Sequence, residues 1–202
     1  MRRLFSPLTK TQSGIAFALL CAVGLGAITT QAKIFYAEGG NAMTLLLVRF
    51  LISTLIFALL IATKREAFKL DRSLYLPVFL LGILWSAAMM FYLISVESIS
   101  VSLAVLILYT FPLLVLVISI VNGHLALSPQ LVLLFGLSFL GLYLALSGSE
   151  MNLAASGIFF AALASLGSAY TFIKGAQVAT LLSPLVLTFW VNALGLMMII
   201  LL

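Results

Sequence analysis

The sequence predicts an all-α integral membrane protein: seven transmembrane helices belonging to a presumed ten-helix plan of two inverted five-helix units. Three observations predict it. Of 202 residues, 64% are hydrophobic and 7% charged, with a mean hydropathy of +1.32. A soluble domain of this length leaves about 30% of its unfolded surface exposed, and so few polar groups cannot cover it. Second, seven apolar runs approach the ~20 residues that cross a hydrocarbon core. Third, Ser13–Gly24 returns as Ser156–Gly167, with identities at Ser13, Gly14, Ile15, Phe17, Ala18, Leu20 and Gly24.

The seven runs are Gly14–Tyr36, Ala42–Thr63, Leu74–Ser95, Ser100–Val121, Pro129–Leu146, Leu153–Ile173 and Pro184–Leu202. Turn chemistry separates several of them: Gly39-Gly40-Asn41, Asn122-Gly123 and Ser147-Gly148-Ser149. The first run has the basic leader of a signal peptide. Its internal twin at Ser156 cannot be a cleaved leader, so the first run is read as a retained span. Residues 1–12 form a short leader, 13–150 a first five-span unit, and 153–202 the opening two spans of a second.

Basic residues orient the spans. Arg2, Arg3 and Lys10 precede the first, Lys64, Arg65, Lys69 and Arg72 lie between the second and third, and Lys174 ends the sixth. All eight fall on one side if the spans alternate, and that side is cytoplasmic, so the expectation is a multi-pass protein of the cell (inner) membrane with its N-terminus in the cytoplasm. Glu38, Glu97 and Glu150 fall on the opposite side. The net charge of +5 therefore reflects membrane orientation and not a nucleic-acid surface. Cys21 is the only cysteine, so no intrachain disulfide or thiolate metal site forms.

The two copies are 143 residues and five spans apart. Five is odd, so the second copy enters the membrane from the opposite face. Inverted repeats of this kind build secondary transporters that rock about a central site. A complete second unit needs more chain than remains after Ser156. The expectation is a truncated product of a ten-span protein, with a scaffold or a remnant without transport activity as the alternative.

Four stretches resemble the EamA-type branch of the drug/metabolite transporter superfamily. They are Thr29-Thr30-Gln31-Ala32-Lys33 closing the first span, Leu47-Val48-Arg49-Phe50 early in the second, Tyr92 through Ser102-Leu103-Ala104 followed by Leu108-Tyr109-Thr110-Phe111-Pro112, and Gly136 with Gly141 in the fifth. The turn after the fourth span departs from that family. It reads Asn122-Gly123-His124-Leu125, without the acid and base of the family's Gly-Glu-Arg-like turn. The resemblance implies a ten-span exporter of small organic metabolites such as amino acids.

Arg49 is the leading site candidate. It lies seven residues into its span, ~10 Å deep at 1.5 Å per residue. A charge facing lipid there costs about 2.5–3.5 kcal/mol, so it either faces a cavity, where it attracts a carboxylate, or snorkels or pairs near the interface. Its repeat partner, Asn192, is also polar within an apolar run. Lys33 either adds a second cation to an outer vestibule or anchors at the interface. Trp85, Tyr92, Tyr109 and Trp190 lie within spans, where their polar atoms need partners; they line a substrate cavity or pack between helices. Pro112 removes a backbone hydrogen bond and either kinks its helix or is tolerated.

His124, the only histidine, lies in a loop. There is no His-Glu-x-x-His motif or phosphate-binding glycine loop, so neither an enzyme nor a cofactor is expected. The expected partners are the lipid bilayer, a small-molecule metabolite and, for a protein assembly, a second copy of the chain in a homodimer.

Overall fold

The computed structural model describes residues 14, 19, 20, 23, 24, 31, 32, 34–65, 67–123, 128–146 and 153–202. The leader, Cys21, Lys33 and His124 lie outside the described residues. Residues 1–41 and 42–202 form two compact units. In the first, helix α1 has its last described turn at 34–37 and closes through Gly39 at φ +85°.

The second unit contains α2 (Ala42–Lys64), a single 3-10 turn (Arg72–Leu74), α3 (Tyr75–Ser98), α4 (Val101–Leu108), α5 (Phe111–Val121), α6 (Pro129–Leu146), α7 (Ala155–Val178) and α8 (Pro184–Leu201). No strand occurs among the described residues. Five stretches there are long and apolar enough to cross a membrane: α2, the 3-10 turn with α3, α4 with α5, α7 and α8. The protein is an all-α, multi-pass membrane protein.

Local chemistry sets the helix starts. Ser100 Oγ accepts from Leu103 N at 3.4 Å and Ser128 Oγ from Leu131 N at 3.2 Å, each satisfying a donor that the helix start leaves free. Pro184 opens α8, where its missing N–H costs no helical bond. The α2 end is less relaxed. Arg65 adopts φ +55°, a conformation that costs a side-chain-bearing residue roughly 1–2 kcal/mol.

The fourth span divides into α4 and α5 at Tyr109-Thr110, immediately before Phe111-Pro112. The Pro112 ring lacks an N–H and crowds the carbonyl one turn earlier, so an unbroken helix cannot run through. Thr110 bridges the break. Its Oγ1 lies 2.7 Å from the Ile107 carbonyl and 2.8 Å from Ser165 Oγ of α7.

Helix packing follows membrane logic, in which small residues let backbones approach. α7 presents Gly157, Ala161, Ala164, Ser165, Ser168 and Ala169 as its buried face and packs along α3, α4 and α5. At Gly167 an added Cβ would stand 3.0 Å from Ala88 Cβ of α3. α8 packs against both α2 and α3. Gly195 of α8 faces Ser86 and Phe50 so closely that an added Cβ would lie 2.9 Å from the Phe50 ring. The outer faces carry Leu55, Leu59, Leu133 and Leu166, each more than half exposed. An apolar surface of this extent suits lipid or further helices.

Candidate functional site

α2, α3, α7 and α8 line a half-open cavity of about 280 Å³. Each contributes one face at a four-residue spacing, the period that stacks side chains along a helix. α2 supplies Arg49 and Ser53, α3 supplies Leu81, Trp85 and Met89, α7 supplies Thr171 and Gly175, and α8 supplies Thr188 and Asn192. Phe50, Leu187 and Val191 complete the wall.

The polar groups differ in what they have left to offer. Thr171 Oγ1 donates to the Gly167 carbonyl and Thr188 Oγ1 to the Pro184 carbonyl, each at 2.8 Å. Asn192 Nδ2 donates to the Thr188 carbonyl at 2.8 Å. Each of these hydroxyls keeps lone pairs, and the amide keeps a carbonyl oxygen. Arg49 is half-buried and brings five N–H donors. No Asp or Glu is among the described residues lining the cavity. Tyr92, buried one turn beyond Met89 on α3, is not among the residues lining this cavity. The Trp85 ring meets Phe172 edge-on at 6.4 Å, which fixes one aromatic wall.

A cation with no carboxylate among the described residues of its cavity, set among hydroxyls and an aromatic face, is equipped to bind an anion. The guanidinium fork matches a carboxylate bidentately. Among the described residues no group of three or more His, Cys, Asp or Glu is arranged to hold a metal.

The structure therefore brings Arg49, Trp85 and Asn192 to one cavity and places Tyr92 one turn further along α3. It places other candidates elsewhere. Tyr109 and Pro112 line a second cavity of about 560 Å³ against Leu131, Phe135, Ser138 and Leu142 of α6. Trp190 lines a third, and its Nε1 donates to the Phe68 carbonyl at 3.1 Å. Ser53, Thr171 and Thr188 are lining residues that sequence reasoning missed. Stepping four residues along the helix from Arg49 and Asn192 would have found Ser53 and Thr188. Thr171 carried no such signal.

A family model described as the EamA-like transporter family matches residues 12–147. No curated protein and no solved structure matches the chain.

Proposed function

The chain belongs to the EamA-like transporter family, and we propose that it exports small organic metabolites such as amino acids across an inner membrane by alternating access. Arg49 holds the substrate carboxylate, Asn192 and the hydroxyls of Ser53, Thr171 and Thr188 orient its polar groups, and Trp85 with Met89 covers its apolar part.

One observation carries the reading: Arg49 and Asn192, 143 residues apart and at matching places in the sequence repeat, line the same four-helix cavity. A polar position repeated in two inverted units and meeting at one cavity is what a site between such units requires. The family match, residues 12–147, coincides with the first unit of that plan to within a few residues at each end, and the grouping of basic residues supports a cytoplasmic N-terminus.

The test is intracellular accumulation. Cells lacking the gene should retain a metabolite that wild-type cells expel. The wild-type gene should restore its export, and an Arg49→Ala version present at equal level in the membrane should not. Full restoration by Arg49→Ala would remove Arg49 from the site.

A further inference from the structure

The α2–α3 connector combines charge with an apolar recess in a way the transport site does not explain. Lys64, Arg65, Lys69 and Arg72 place four bases in nine residues, against Glu66 and Asp71. Beneath the connector lies a cleft of about 670 Å³, lined by Phe68, Lys69 and Leu70 of the connector, by Tyr75, Leu76 and Phe79 of α3, and by Trp190 and Leu194 of α8. Among the described residues, Lys69 is the only charged one in that lining.

The cleft is built, not a gap left by loose packing. Trp190 Nε1 ties the Phe68 carbonyl to α8 at 3.1 Å, and the Phe68 ring meets Phe189 edge-on at 5.1 Å. Behind it Leu70, Leu74, Val78 and Leu187 form a buried floor. Its rim is open: Tyr75 is 55% and Leu76 65% exposed. Tyr75 opens α3 directly after the connector, at the end of a span, where tyrosine is common. Basic pockets between transmembrane helices bind anionic headgroups.

We propose that this cleft holds one anionic phospholipid. An acyl chain lies along Leu76, Phe79 and Leu194, and the phosphate is drawn to Lys69 with Arg72 and Arg65 reinforcing the field. Charge complementarity selects this occupant over a zwitterionic lipid, because one lysine near an anionic surface contributes a preference of about fivefold. The proposal is independent of what the Arg49 cavity carries.

The two tryptophans of the chain provide the test. In a Trp85→Phe variant Trp190 becomes the sole reporter, reconstituted in vesicles holding equal fractions of brominated phosphatidylglycerol or brominated phosphatidylcholine. Quenching of Trp190 should report an apparent affinity about fivefold higher for the glycerol lipid. Lys69→Ala should reduce that ratio toward one, and raised salt should weaken it. Equal quenching by the two lipids, or an unchanged ratio in Lys69→Ala, overturns the proposal. Should Trp85→Phe not fold, native mass spectrometry of the wild-type protein decides. Retained phosphatidylglycerol that Lys69→Ala loses supports the site, and retention equal in both proteins, or in neither, rejects it.

Discussion

Replacing Gly195 with alanine should destabilise the contact among α2, α3 and α8 that frames the Arg49 cavity. The new Cβ would press on Ser86 Oγ and lie 2.9 and 3.0 Å from two Phe50 ring carbons. Neither neighbour has room to give. Ser86 is fully buried and its hydroxyl donates to the Gly82 carbonyl at 2.7 Å, while Phe50 is 3% exposed. Overpacking of this kind costs about 1–3 kcal/mol.

Ser86→Ala removes the nearest atom but leaves the phenyl ring, so it should rescue part of the loss. By itself it should cost little, because the Gly82 carbonyl keeps its helical partner. The double-mutant cycle should return a favourable coupling of about 1 kcal/mol, within the range expected for contacting residues. Reversible unfolding in mixed micelles, followed by circular dichroism, measures all four proteins. A Gly195→Ala variant as stable as wild type, or strictly additive substitutions, would refute the close approach.

Two further predictions concern the backbone. Thr110→Val and Ser165→Ala each break the hydroxyl bridge between the α4–α5 break and α7, and should cost about 0.6 kcal/mol and no more than ~1.7, the range of interhelical hydrogen bonds in membranes; the double mutant should lose no more than either single one in the same micelle unfolding. Arg65→Gly relieves the left-handed backbone at the end of α2 and should stabilise the protein by about 1 kcal/mol, read as a raised detergent unfolding midpoint; a lowered midpoint would contradict the strained turn.

Much of the fold was legible because lipid leaves a chain few alternatives. Every spanning backbone must satisfy its own hydrogen bonds, so a long apolar run is a helix almost by necessity. Ends were less legible. α7 continues to Val178, five residues beyond the apolar run, carrying the polar Lys174 and Gln177 on its exposed face and burying Val178. Helix pairing was hidden as well. Helices apolar on all sides show no face to read, so the placement of α8 between α2 and α3 rests on small residues such as Gly195 and Gly82, whose role appears only in three dimensions.

The site divides along similar lines. Arg49 and Asn192 stood out in sequence because polar groups at depth are costly. The hydroxyls of Thr171 and Thr188 did not, since a threonine that bonds its own helix four residues back is unremarkable in any membrane span. Trp85 and Trp190 gave equal signals in sequence. Only the structure separates the wall of the Arg49 cavity from the clasp on Phe68.

The most direct test of the central claim compares export of an amino acid with that of its amide, which keeps the ammonium and loses the carboxylate. A hydrogen-bonded charge contributes about 1.5–3 kcal/mol, or roughly 10- to 100-fold. Cells carrying the wild-type gene and preloaded with both should expel the amino acid at least about tenfold faster. Arg49→Ala should bring the two rates together, and Arg49→Lys should restore part of the difference, since a point charge replaces the bidentate fork. An Arg49→Ala protein that still prefers the carboxylate by the wild-type margin would contradict the account.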